Sequence, residues 1–517
     1  MRIRFAHLAA ATTLVVGAAA CNNDKLTDLN KNPNSPEDVP AASIFTTAAR
    51  SATANWVGNN FNLRGTEWVA QHLAESQYPD EDDYKRLQGP QTTTLFDNPY
   101  TGELEDLRQV IRKGLAANDP GIYGPAQILR SWEFSHITNT FGDVPYFGAL
   151  SGDSAGANLS PKYDAQKDIY TDLFKVLDAA SKSLSSASAT LGKADPIYSG
   201  SPAKWQKFAN SIRLRLAMQL ANVDPATAAA QVQAALAAPG GVFSSNADMA
   251  LFSWPGDGVY NNPWSVNFQS RDDHRMSQTL MNVMLASNDP RIPIFAQPTV
   301  ADPTKYAGMP NGLTQATASP YANISSRPGK IFWPTGNTAG VTGGTGVSTP
   351  SYLMTYAEVA FLEAEAAARG MGGLTAGQAA GFYNAGITAS LNQWGVTSAS
   401  AISAFLANSN IAYAGGVAGQ TQIATQEWVA LFTDGTQAWS LWRRTCAPLT
   451  LKPGPFAIIN TVPRRFQYSD TEKSVNASSL NAALTQMGAT TDDFTTRMYW
   501  DTKPTAAPTY NAGCGTR

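Results

Sequence analysis

The residues in this chain best suited to binding chemistry are aromatic side chains set in polar loops. Tyr84 and Arg86 close the run Tyr78-Pro79-Asp80-Glu81-Asp82-Asp83-Tyr84-Lys85-Arg86, and Trp254, Tyr260, Asn262 and Trp264 share a Gly/Pro-rich stretch. Trp333 stands just before a Gly/Thr-rich run. A flat Trp or Tyr face stacks on the apolar face of a sugar ring, while Asn, Gln and Arg supply directional hydrogen bonds. These seven residues are therefore the candidate ligand contacts. The competing reading for each ring is that it packs its own loop onto the body of the protein.

Catalytic frames are missing. The sequence has no His-Glu-x-x-His, no phosphate-binding Gly-x-x-x-x-Gly-Lys, no Cys-x-x-Cys and no EF-hand loop. His72, His136 and His274 lie far apart and are expected to be satisfied helix residues rather than ligands or bases. Two acidic clusters, Asp80-Glu81-Asp82-Asp83 and Arg271-Asp272-Asp273, could in principle flank a sugar as a glycosidase pair. Adjacent acids in turns are expected instead to be solvated. No catalytic residue, metal or cofactor is expected.

Cys21 supplies an address. Arg2 and Arg4 precede an apolar stretch from Leu8 to Ala20, and polar Asn22-Asn23-Asp24-Lys25 follows the cysteine. A basic start, a short apolar core and small residues at the cut mark an export signal, and the stretch is too short to cross a bilayer as a helix. A cysteine at the first mature position is what lipoprotein maturation acylates, although Ala18 stands where Leu or Val is usual. Residues 1–20 are read as signal peptide and 21–40 as a lipidated tether, with Asn30-Lys31-Asn32-Pro33-Asn34 in its turn-rich middle. Cys446 and Cys514 leave two readings open, one disulfide closing a long loop or two free cysteines. Beyond the signal the chain has 35 basic and 40 acidic residues, and its basic segments are no more than pairs, so a nucleic-acid partner is excluded. Hydrophobic content of 43% against 15% charged marks a folded chain.

The elements that must carry these residues are helical. Ser201-Pro202 opens a helix with Trp205, Phe208, Ala209, Ile212, Leu216 and Leu220 on one stripe. A second helix starts near Pro125, carries Ile128, Leu129, Trp132, Phe134, Ile137 and Phe141, and stops at Gly142-Asp143-Val144-Pro145. From Ser351 to Gly395 a helix with Tyr352, Tyr356, Val359 and Glu363 on one side, and a small stripe of Ala357, Ala360, Ala364 and Ala367, is broken at Gly370-Met371-Gly372-Gly373. A second helix with Phe382, Ala385, Ala389 and Trp394 follows, making a hairpin of tetratricopeptide type. Comparable pairs are traced at 160–220 and, more loosely, at 41–75 with 100–118. Segments 76–100, 240–275, 290–350 and 446–475 read as long irregular loops, with the run Gly336 to Pro350 expected to be mobile.

Six motifs in order resemble the SusD/RagB family of nutrient-binding outer-membrane lipoproteins. They are Asn30-Lys31-Asn32-Pro33-Asn34; Phe141-Gly142-Asp143-Val144-Pro145-Tyr146; Asp289-Pro290-Arg291; Tyr356-Ala357-Glu358 through Glu363-Ala364-Glu365-Ala366; Arg464-Arg465-Phe466-Gln467-Tyr468 with Glu472 and Asn476; and Met498-Tyr499-Trp500-Asp501. The resemblance implies a mainly α fold, an α-α superhelix of tetratricopeptide-like hairpins with long irregular aromatic-rich loops, as a single domain over 41–517. It also implies a non-enzymatic lipoprotein at the outer membrane, facing the exterior. Such a protein captures a glycan or other oligomeric nutrient and acts as lid on a SusC-like TonB-dependent transporter. No binding residue carries over by motif. The alternative is a lipid-anchored glycoside hydrolase or peptidase. The ligand's identity and the particular transporter are not legible.

Overall fold

The computed structural model describes residues 38–153, 156, 158–502 and 514. The signal segment, Cys21 and the tether motif lie outside them. Residues Ala41–Arg517 form one compact unit.

Helices α1 (Ala41–Trp56), α2 (Pro90–Thr101), α3 (Glu103–Ala116), α4 (Pro120–Phe141), α5 (Gln166–Ser183), α6 (Pro202–Gln219) and α7 (Pro225–Leu236) make the first half. Neighbours in sequence pack on one another from α2 to α7, with α1 laid against α3 and α4. The expected stripe of α6 is buried from Trp205 to Leu220, and Pro202 occupies its first turn, but the Ser201 hydroxyl makes no capping bond. Helix α4 begins at Pro120, earlier than expected, because Asp119 accepts a hydrogen bond from Gly121 N and caps it there. Pro125 then sits inside the helix. Almost every residue from Ile128 to Phe141 is buried, as a helix covered on several sides requires.

Two shorter helices follow, α8 (Pro263–Phe268) and α9 (Gln278–Ala286), and the strands β1 (Leu73–Glu75) and β3 (His274–Met276) pair antiparallel, Glu75 opposite His274. A second ribbon pairs β2 (Ala250–Phe252) with β4 (Ser351–Met354). Tyr352 thus belongs to a strand. The helix expected around it, α10 (Tyr356–Ala368), starts after Thr355, whose side chain accepts from Glu358 N. Helix α11 (Ala379–Gln393) completes the hairpin, and α12 (Ala399–Leu406) and α13 (Gly416–Ala430) extend it. The Ala357, Ala360, Ala364 and Ala367 stripe is fully buried. On α11 Ala389 is buried as expected, as is Trp394 just past its end, but Tyr383, Gly386 and Ile387 face inward in place of the expected Phe382 and Ala385. Gly386 permits this crossing, since a Cβ there would lie 2.9 Å from the Phe361 ring. Helix α14 (Gly435–Thr445) packs on α13 and α4, and α15 (Asp470–Val475) and α16 (Ala477–Gln486) close the unit. Cys446, just past α14, is joined to Cys514 in a disulfide with Cα atoms 5.8 Å apart.

Buried charge locks these layers together. Arg215 of α6 forks onto Glu358 of α10, with Nε to Oε1 at 2.5 Å and Nη2 to Oε2 at 2.6 Å. Arg444 of α14 grips Glu365 in the same way. Arg291 holds Asp289 with two bonds and reaches Ser390 on α11 at 2.8 Å and Gln426 on α13 at 3.2 Å. Removing one partner of such a pair leaves a charge stranded in the interior, at a cost of about 3–5 kcal/mol.

The irregular segments are more ordered than their composition suggests. Segment 76–100 holds most of α2. In the run Gly336 to Pro350, Gly346 N donates to Trp333 O at 2.8 Å, Thr349 Oγ1 donates to Ile331 O at 2.5 Å, and Val347 O accepts from Asn262 N. This run is pinned to its neighbours rather than loose. A Cβ on Gly346 would stand 2.4 Å from the Phe332 carbonyl carbon.

Candidate functional site

Several concavities open on the surface, and helix α2 borders three of them. Gly89 in a positive-φ conformation (φ 68°) turns the chain, Pro90 starts the helix with its φ already set, and Leu95, Phe96 and Pro99 are buried. Three concavities surround it. The first, of about 470 Å³, is floored by Phe96, Tyr100, Pro145, Leu150 and Pro161 and rimmed by Glu105, Arg108 and Asp153. The second, of about 490 Å³, lies toward α1 and shares Thr101 with the first. The third, of about 290 Å³, lies at the start of α2 and shares Asn60 with the second.

The first concavity combines fixed rings with fixed charge. Tyr100 donates its hydroxyl proton to Pro145 O at 2.7 Å, and its ring lies 5.4 Å from that of Phe96 and 6.1 Å from that of Phe134. Burial raises the Tyr100 phenol well above its ordinary value, so it stays a neutral donor. Arg108 is held by Glu105 through two bonds of 2.8 Å and by Asp153 at 2.7 Å. The bond from Arg108 is the chief reason the Asp153 carboxyl lies below its ordinary value. The result is an aromatic floor with a pre-oriented guanidinium and carboxylates at its edge, which suits a polar ligand with flat apolar faces.

The second and third concavities are more polar. The second is lined by Asn55, Asn59, Asn60 and Asn98 together with Arg50, whose guanidinium lies 5.2 Å from the ring centre of Tyr260. The third is lined by Arg64 and Arg86, both of which donate to Glu81 Oε1, Arg86 Nη1 at 2.6 Å. Burial lowers the Arg86 guanidinium from its ordinary value, with Glu81 opposing and Arg64 adding to the effect.

Two of the seven candidates stand at these concavities, Arg86 in the lining of the third and Tyr260 against Arg50 of the second. Tyr260 is the only exposed ring among them, 45% accessible. The other five side chains face inward. Tyr84 is buried at a positive-φ position. Trp254 donates its indole N–H to Ser351 Oγ at 2.9 Å, and Trp264 packs on Phe332 and Phe432. Trp333 stacks on Phe268 at 4.8 Å and donates to Pro328 O. Asn262 caps α8 and donates to Thr349 O. Their ring faces and amide are spent on holding loops together, the competing reading given above. Phe96, Tyr100 and Arg108 escaped sequence reading, although Phe96 and Tyr100 stand four apart, a helical spacing.

Two histidines are satisfied. His72 Nδ1 pairs with Glu67 at 2.9 Å and its Nε2 with Trp428 O at 3.0 Å. His136 pairs with Trp132 O and Gln437. No helix among the described residues is long and apolar enough to cross a membrane.

A family described as "Starch-binding associating with outer membrane", SusD-like, matches residues 33–469. The chain belongs to this SusD-like family, and its mainly helical fold is that of its solved relatives. A structure described as a chitin-binding protein is 28% identical, with 90% of this chain and 100% of that one covered at a TM-score of 0.74. A chitin-binding SusD homolog from Flavobacterium johnsoniae is 25% identical over 90% of this chain and 99% of that one, at a TM-score of 0.76. A SusD homolog from Bacteroides uniformis, 24% identical over 90% and 100%, superposes with a TM-score of 0.71 and bears on the fold alone. A comparison with curated proteins gave no significant match.

Proposed function

We propose that this chain is a glycan-binding surface lipoprotein of the outer membrane. Anchored through Cys21, it serves as lid on a SusC-like TonB-dependent transporter and does no chemistry of its own. The observation that carries the reading is the first concavity, where the half-buried Tyr100 ring, backed by buried Phe96, lies beside the Arg108 rim, an arrangement that suits a sugar chain. Chitin binding by two solved relatives makes oligomers of N-acetylglucosamine the first ligands to try. In this scheme the groove around α2 holds the ligand against the barrel, and the tether lets the lid swing while uptake energy comes from the barrel.

The experiment is a titration of the purified protein against N-acetylglucosamine, glucose and peptide oligomers, with chromatography of each mixture. Binding of one glycan class without new products is expected. Turnover abolished by a single carboxylate substitution would sink the binding-protein reading in favour of an anchored hydrolase.

A further inference from the structure

The two acidic turns expected to be solvated meet in the interior. Glu81, Asp82, Asp83 and Asp273 are each 1–2% exposed, and Arg271 joins the two segments by lying 3.3 Å from Glu81 Oε1. The cause is the register of β1 and β3. Glu75 and His274 are direct cross-strand partners, so their side chains share one face, and the turn Pro79–Asp82 lays Glu81 over them.

Each of these three residues spends one polar atom on a neighbour and leaves the other free. Glu75 Oε1 accepts from Gln77 N at 2.8 Å and Tyr78 N at 3.2 Å. Glu81 Oε1 accepts from Arg64 and Arg86. His274 Nδ1 lies 2.9 Å from Asp273 Oδ1, so the imidazole N–H points to that carboxylate and Nε2 carries the lone pair. The remaining atoms, Glu75 Oε2, Glu81 Oε2 and His274 Nε2, are buried without a hydrogen-bond partner among the described residues. One ligand atom from each residue lies within 4.8 Å of the other two. Arg271 Nη2 approaches Glu75 Oε2 only to 3.6 Å, an attraction but not a hydrogen bond.

Three lone pairs facing one another in a dry interior need something positive between them, a shared proton or a metal ion. We propose that Glu75, Glu81 and His274 bind a divalent transition-metal ion of the Zn²⁺ class. Two carboxylates and one imidazole suit Zn²⁺ better than the all-oxygen shells that Ca²⁺ and Mg²⁺ prefer. Asp273 behind the imidazole is the outer-shell partner that fixes a metal-binding histidine. Ligand atoms about 2.1 Å from a tetrahedral ion stand about 3.4 Å apart, so the three, now within 4.8 Å, would close by up to about 1.4 Å on binding. Arg64, Arg86 and Arg271 all donate to Glu81 Oε1, which orients that carboxylate, and Arg271 also stands 3.6 Å from Glu75 Oε2; the three guanidiniums lower affinity for a cation. The ion would tie the β1–β3 ribbon to the turn carrying Glu81, and through it to the two arginines of the third concavity. This inference does not depend on the glycan reading.

The test is the metal content of the purified full-length protein, by mass spectrometry of the elements, followed by titration of chelator-treated protein with Zn²⁺ alone. One ion per chain is expected, with a melting temperature that falls on chelation and recovers with Zn²⁺. In Glu75→Gln and His274→Gln the bound ion and the Zn²⁺-dependent rise in melting temperature should both be lost. Folded wild type that takes up no Zn²⁺ would overturn the site and assign the cluster a shared proton. Retention of the ion in both variants would equally overturn it. Should the variants not fold, the wild-type content still decides.

Discussion

His136 lies fully buried between Trp132 O and Gln437, with ring contacts to Trp56 and Trp132. Burial is the main reason its pKa falls from 6.5 to about 3, with the charge of Arg215 adding to it. The unfolded chain accepts a proton below about 6.5 while the folded chain refuses it down to about 3, so this residue's stabilisation is present above 6.5 and lost as pH falls. The unfolding free energy of wild type relative to His136→Gln should therefore decline by about 1.4 kcal/mol per pH unit once below pH 6. Denaturant titrations at pH 7, 5.5 and 4.5 check this; a constant difference would show that the imidazole titrates freely. The same scale explains the family motifs. Arg291 with Asp289, Glu358 with Arg215, Glu365 with Arg444, and Tyr468 donating to Asp143 O at 2.6 Å are buried tie-points of the scaffold. They hold the scaffold together and line none of the three concavities around α2.

Among elements, those with long periodic stripes were legible in the sequence and those without were not. Helix α6 and the α10–α11 hairpin follow from apolar and small-residue spacing. Helix α2 did not, because Gly89-Pro90 reads as a turn and its Thr-rich first turns carry little apolar signal. Strands of three or four residues are too short to show alternation, so the pairing of Glu75 with His274, and the burial of both acidic turns, stayed hidden. Loop aromatics raised the same difficulty: nothing local distinguishes Trp333, sealed under its own loop, from exposed Tyr260. Close packing of that loop is itself testable. Gly346→Ala forces a Cβ onto the Phe332–Trp333 backbone, and overpacking of this kind costs about 1–3 kcal/mol. A lower denaturation midpoint is expected in chemical unfolding, with increased protease cleavage within 336–350. Unchanged stability and cleavage would mean that the run does not pack as described.

For the molecule as a whole, fold and family were legible from six ordered motifs, while the concavities proposed to bind ligand required the packed structure. They draw on α1, α2, α3, residues 145–153, Pro161 and α15, parts distant in sequence. The proposed lid mechanism makes two demands at this scale. The first is attachment: Cys21→Ser should move the protein from the membrane fraction to the soluble one, and a variant that stays bound would contradict the lipid tether. The second is ligand capture at the groove around α2. Isothermal titration of the detergent-solubilised full-length protein with an N-acetylglucosamine oligomer, beside Tyr100→Ala, tests it most directly. Saturable binding by wild type, weakened at least about tenfold (about 1.4 kcal/mol) in a folded Tyr100→Ala, is predicted. Equal affinity in the two proteins would contradict the groove, and no binding of any glycan by the wild type would contradict the function proposed for it.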